Sequence, residues 1–208
     1  MDPLTRIEGP AAALLKANIN TDIIAPAPRR GSGGDARSSA GIGAALFFAP
    51  WRFDAAGEEI PDFVLNRPPF REAKFLVAGD NFACGSSRES AVLYLKAWGL
   101  RAVIAPSFGQ IFYDNCFRNG VLPLVFDQAT VEALAAEAEG GAAFAADVAA
   151  GTLTTPGSRT LAFSLPAFRR QLLLTGTDEV TLTLREADRI AAWQEAARQA
   201  RPWAYPAA

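Results

Sequence analysis

From residue 73 onward, short apolar runs alternate with amphipathic stretches in a regular order. "AKFLVA" (73–78) is a continuous apolar run of the kind that forms a strand buried on both faces. "RESAVLYLKAWG" (88–99) carries its apolar residues at helical spacing and ends on Gly99, a helix stop. "RAVIAPS" (101–107) predicts a second strand, "FGQIFYDNCFRNG" (108–120) a second helix stopped by Gly120, and "VLPLVF" (121–126) a third strand. Strand, helix, strand, helix, strand implies a parallel sheet with right-handed crossovers, hence an α/β fold. "DQATVEALAAEAE" (127–139) predicts a helix opened by Asp127. Two short strands follow, "AADVAAGTLTT" and "RTLAFSL", then a helix from "PAFRRQLLLTG" with Pro166 near its first position. "EVTLTL" (179–184) alternates like a strand yet runs into the helical "READRIAAWQEAARQA", which leaves its state open.

Ahead of this pattern, residues 25–45, "APAPRRGSGGDARSSAGIGAA", are dense in Pro, Gly and Ser and bury little apolar surface. They read as a flexible loop, either a connector or a substrate lid. No repeat of 20–50 residues is present, so the 208 residues read as a single domain, with a helical extension over about 166–208. Half the residues are apolar and a fifth charged, as in a soluble globular protein. A formal net charge of −2 gives no electrostatic reason to expect nucleic acid or an anionic membrane. "MDPLTRIEGP" lacks the apolar core of a signal peptide, and no uncharged apolar run reaches about 18 residues, so a cytoplasmic protein is expected. Cys84 and Cys116 are 32 positions apart and outside any C-x-x-C pair; they predict buried free thiols and no metal site held by this chain alone.

The chemistry concentrates in "GDNFACGSSRES" (79–90). The chain has no histidine, so no Ser-His-Asp triad forms within it. Ser86 followed three residues later by Glu89 has the spacing of a capping box, which needs no catalysis. The context adds more: a strand ends at Gly79, and the following helix N-terminus aims its N–H groups and positive dipole end beyond the strand's carboxyl edge. That edge is where parallel sheets bind ligands. Arg88 adds a guanidinium fork suited to a carboxylate. The turn is therefore an anion site, where an ionised serine hydroxyl is stabilised.

"NFACGSSRES" resembles the G-S-S-R-E turn of the aconitase superfamily. Through "NINTDIIAP", "WRF", "PDFVLNRP", "VIAPSFGQIFYDNCFRNGVLP" and "AFRRQLLLTGTDEVTLTLREADRIAAW", nearly the whole chain is similar to the small-subunit family of bacterial 3-isopropylmalate dehydratases. The resemblance implies a swivelling β/β/α three-layer domain that docks on a large subunit. That partner would carry a [4Fe-4S] cluster on its own cysteines and supply Lewis-acid chemistry. It implies a hydro-lyase, active only with the large subunit, that interconverts 2- and 3-isopropylmalate in leucine biosynthesis. By position Ser86 is the base that removes or returns a proton next to a carboxylate, Ser87 and Arg88 offer N–H groups to the alkoxide, and Arg88 grips a substrate carboxylate. Asp22 matches the second aspartate of the family's N-x-D-T-D-x-I-I-P segment, and Asn20 stands where an aspartate is usual.

The sequence departs from the family at Ser90, where R-E-H has histidine, and in "APAPRRG", which follows "TDII" where members choose their substrate. Arg29 and Arg30 there either face solvent or suit a substrate with an extra carboxylate, and the latter keeps open a related hydratase for another 2-hydroxy diacid of citramalate, methylmalate or homocitrate type. A noncatalytic module that senses a carboxylate metabolite at the same anion site is the remaining alternative.

Overall fold

The computed structural model describes residues 1–27, 40–85 and 88–205. In chain order these form β1 (Arg6–Leu14), α1 (Thr21–Ile24), α2 (Ala40–Leu46), α3 (Ala49–Arg52), β2 (Phe75–Ala78), α4 (Ser90–Trp98), β3 (Ala102–Ala105), α5 (Gln110–Asn119), β4 (Leu122–Val125) and α6 (Gln128–Ala138). Then come β5 (Ala143–Asp147), β6 (Thr152–Thr154), β7 (Thr160–Ala162), α7 (Ala167–Thr175), α8 (Glu179–Leu184) and α9 (Ala187–Ala200). They fall into two compact units, Met1–Gly176 and Thr177–Ala208.

The first unit is built on a sheet of order β4-β3-β2-β1-β5-β6-β7. Strands β1 to β4 are mutually parallel, as the strand-helix alternation predicts, whereas β5, β6 and β7 add on antiparallel. Strand β1, which the apolar pattern does not announce, joins the two parts. Its first half, Arg6–Pro10, pairs with β5, and its second half, Ala11–Leu14, pairs with β2. The changeover falls at Pro10, which has no N–H to give to a ladder; its carbonyl accepts from the Lys74 N–H at 2.8 Å.

Every residue of β2 and β3 is buried, because helices cover both faces. The two-residue period of a strand deals its side chains to opposite cores. Leu76, Ala78, Val103 and Ala105 enter a layer with Phe47, Phe48, Val92, Leu95 and Phe112. Phe75, Val77, Ala102 and Ile104 enter a second layer with Val131, Leu134, Phe144, Leu153 and Leu173. Helices α4 and α5 stop at Gly99 and Gly120, both left-handed, as the sequence predicts.

The aromatic layer holds one buried charge. Arg52 is 4% exposed, and its guanidinium lies 4.1 Å from the Trp98 ring centre. Arg52 Nε donates to Asn66 Oδ1 at 3.1 Å, while Nη1 donates to the carbonyls of Ala44 and Phe47 at 3.1 and 3.3 Å. The guanidinium thus satisfies carbonyls at the end of α2 and ties that helix to the 3-10 turn at Val64–Asn66.

Of the segment 25–45 read as a flexible loop, residues 40–45 belong to helix α2, and residues 28–39 lie outside the described residues. In the second unit "EVTLTL" is helix α8, not a strand: the Asp178 carboxylate caps it by accepting from the Thr181 N–H at 2.7 Å and its hydroxyl at 2.9 Å. Among the described residues no helix is long and apolar enough to cross a membrane.

Candidate active site

Because β1, β2 and β3 are parallel, the segments that leave their carboxyl ends share one edge of the sheet. Past the strands the chain keeps the same order, with parallel bridges Asn20↔Cys84 and Phe82↔Phe108. Main-chain bonds hold this extension: the Ala83 N–H donates to the Ile19 carbonyl at 2.7 Å, the Thr21 N–H to Cys84 at 3.0 Å, and the Gly109 N–H to Phe82 at 2.8 Å. Contact is close enough to dictate residue type. A Cβ on Gly79 would lie 2.6 Å from the Lys16 carbonyl oxygen, and one on Gly109 would lie 2.4 Å from the Ala83 oxygen. The turn from Gly79 to Gly85 is therefore a ledge wedged between two neighbouring segments.

Two of the five sequence-predicted site residues meet at the end of this ledge. The Arg88 guanidinium forms an ion pair with the Asp22 carboxylate, although the two are far apart in sequence. Asp22 stands in the first turn of α1, which Asn20 caps: Asn20 Oδ1 accepts from the Ile23 N–H at 3.0 Å. Asparagine here keeps the acceptor oxygen that the cap requires. Both members of the pair are substantially exposed, at 43% and 68% of their side chains, so the pair adds little to folding and orients a cation at an open edge. Ser86, Ser87 and Arg30 lie outside the described residues, as does Arg29.

Helix α4 opens at Ser90 with Glu89 in the capping position, so Glu89 is not the third helical residue of a box begun by Ser86. Its carboxylate accepts instead from Asn119 Nδ2 at 2.8 Å, joining the start of α4 to the end of α5. The positive end of α4 still faces the segment that leads into it. Cys84 is only half-buried within the ledge; Cys116 is buried, and burial pushes its thiol pKa well up, which keeps it protonated and inert. Among the described residues no group of three His, Cys, Asp or Glu side chains is placed to hold a metal ion, and these residues do not fit a cluster.

Beyond α1 the chain borders a cavity of about 720 Å³, lined by Pro26, Ala27, Leu46, Ala49, Pro50 and Phe53 among others. Sequence reasoning missed this largely apolar hollow, since it is assembled from the chain after α1, the ends of α2 and α3 and the stretch Phe53–Gly57, none with a periodic signal of its own.

Comparison with known proteins gives a consistent picture. Residues 1–129 match the aconitase C-terminal domain family. A Jannaschia protein named 3-isopropylmalate dehydratase small subunit is 47% identical over 205 residues, covering 98% of this chain and 100% of that protein. A protein of the same name from Rhodospirillum centenum is 44% identical over 206 residues, covering 98% and 99%. A crystal structure of 3-isopropylmalate dehydratase (leuD) from Methanocaldococcus jannaschii superposes with a TM-score of 0.62 at 26% identity, covering 90% of this chain and 99% of that one.

Proposed function

Because this chain belongs to the family of 3-isopropylmalate dehydratase small subunits, we propose that it is one half of a cytoplasmic hydro-lyase that interconverts 2-isopropylmalate and 3-isopropylmalate. The observation that carries this reading is the Asp22–Arg88 pair, which sets a carboxylate-binding fork at the open carboxyl edge, next in sequence to two serines.

In this reading Arg88 grips a substrate carboxylate and Asp22 holds the guanidinium in the required orientation. Ser86 removes a proton from the carbon next to a carboxylate in one direction and returns it in the other. The alkoxide needs an anion site in place of a general-base histidine, and the N–H groups of Ser87 and Arg88 with the positive end of α4 supply one. The apolar cavity beyond α1 has the character an isopropyl group requires. A [4Fe-4S] cluster held by a large subunit that docks on this edge would supply the Lewis-acid chemistry.

Arg29 and Arg30 favour a second reading, a hydratase for a more acidic 2-hydroxy diacid, in which Arg30 binds the extra carboxylate. The decisive experiment is anaerobic co-purification with the large subunit, followed by assays on both isopropylmalates and on citramalate, methylmalate and homocitrate. Turnover of the isopropylmalates is expected from the pair and none from the isolated chain. A pair that hydrates only one of the other acids, and loses that preference on Arg30→Ala, overturns the proposal in favour of the second reading.

A further inference from the structure

We infer that Asp80 and Ser107 are positioning residues of this site, forming a hydrogen-bonded clamp that fixes the ledge from which the serine turn departs; the inference rests on the functional reading above. Strand β2 ends at Ala78, and pairing with both neighbours resumes only at Phe82–Cys84. The interruption, Gly79–Asn81, is where the chain leaves the regular sheet. Asn81 and Ala83 both have left-handed backbone, at φ 53° and 58°, a conformation that side-chain-bearing residues keep only when their surroundings enforce it.

Ala83 is held by its main-chain bond to Ile19, and side-chain bonds from the two flanking segments hold Asn81. The Asn81 N–H donates to Ser107 Oγ at 2.9 Å, and the same hydroxyl donates to Asp80 Oδ1 at 2.5 Å. From the other side Asn81 Nδ2 donates to Asn18 Oδ1 at 2.8 Å. Ser107 is thus acceptor and donor at once, and the carboxylate fixes which way its single proton points. The short hydroxyl-carboxylate distance belongs to the strong, charge-assisted class. The Phe82 N–H donates to the Ser107 carbonyl at 3.1 Å, so one residue grips the ledge through both main chain and side chain.

The clamp lies at the sheet's rim. Asp80 is exposed and Ser107 half-buried, whereas Phe82 and Ala83 beneath them are fully packed. Removing the clamp therefore leaves the core and the main-chain bonds of Phe82–Cys84 intact and loosens the backbone at Gly79–Asn81. Arg88 is tied separately by Asp22, so substrate capture is spared relative to proton transfer.

The test uses the complete enzyme, this chain with its large subunit, carrying Ser107→Ala, Ser107→Thr, Asp80→Asn or Asp80→Ala. A displacement of the base by a fraction of an ångström costs roughly 10- to 100-fold in kcat, so Ser107→Ala is expected to lose that much with KM changed by less than about threefold. Ser107→Thr, which keeps the hydroxyl, restores most of the rate. Asp80→Asn, whose amide oxygen still accepts, stays near wild type, while Asp80→Ala follows Ser107→Ala. Melting temperatures of the four variants stay within about 3 °C of wild type, since only rim bonds change. If Ser107→Ala keeps full kcat, or Ser107→Thr is as slow as Ser107→Ala, the clamp does not position the site and the inference fails. A wild-type pair inactive on both isopropylmalates overturns the functional reading and this inference with it; an active wild type matched by Ser107→Ala overturns the inference alone.

Discussion

The two halves of the sheet are built on opposite plans. In the parallel half, β2 and β3 are buried at every residue, and three strands deliver their ends to one edge. In the antiparallel wing burial alternates, as in β5, and β7 is exposed at both ends. Two faces of packing hold a strand end rigidly enough to carry a reactive turn, whereas a strand packed on one face serves the core alone. Neither of the described site residues, Asp22 and Arg88, falls on the wing.

That contrast can be broken most sharply at Arg88. In the assembled enzyme Arg88→Ala is expected to lower kcat/KM by roughly 10³-fold through loss of a charge-assisted carboxylate contact, with little change in melting temperature, because the pair with Asp22 is exposed. Unchanged kinetics would show that the edge does not bind the substrate. Gly109→Ala drives a Cβ to 2.4 Å from the Ala83 oxygen, so the ledge must shift. Its expected effect is roughly a 100-fold loss of kcat, with a fall in stability of about 1–3 kcal/mol. Leu153→Ala empties a fully buried position in the wing and costs about 2–5 kcal/mol in denaturant unfolding while kcat is retained. A matching loss of kcat in Leu153→Ala would mean that the halves are not functionally separate.

The smallest effect concerns the cap of α6. Thr130 donates its N–H to Asp127 at 2.9 Å and its hydroxyl at 2.8 Å, which holds the Asp127 pKa below the usual carboxylate range. A carboxyl whose folded pKa is depressed adds stability above its unfolded pKa and loses it as pH falls through the folded value. Asp127→Ala should therefore melt roughly 1–4 °C below wild type near neutral pH, with the gap closing below about pH 4. A gap that persists unchanged in acid would assign the effect to something other than the ionised cap.

Much of the parallel half was legible in the sequence because its strands are unbroken apolar runs and its helices end on glycine. The wing was less legible: "AADVAAGTLTT" reads as one strand, but the chain turns at 148–151 and divides it between β5 and β6, while "RTLAFSL" does hold β7. Strand β1 was not: "RIEGPAAAL" has a Gly-Pro step at its centre and small residues after it, and pairing partners distant in sequence make it a strand. "EVTLTL" alternates yet is helical, since the Asp178 cap and a following helix outweigh a six-residue pattern. The Asp22–Arg88 pair was not readable from spacing; the turn's chemistry pointed to Arg88, resemblance alone pointed to Asp22, and the fold brings them together. Glu89 shows the limit of motif spacing, because its carboxylate went to Asn119 on another helix. Buried Arg52 gave no local signal, since its partners Asn66, Ala44 and Trp98 come from three other elements or connections.

At the centre stands the claim that this edge supplies the proton-transfer group to a site completed by another subunit. It is tested most directly by the turnover number of the assembled enzyme carrying Ser86→Ala, measured with its cluster spectrum unchanged. The predicted result is a fall in kcat of roughly 10³-fold or more with KM little altered. Turnover within about tenfold of wild type would contradict it.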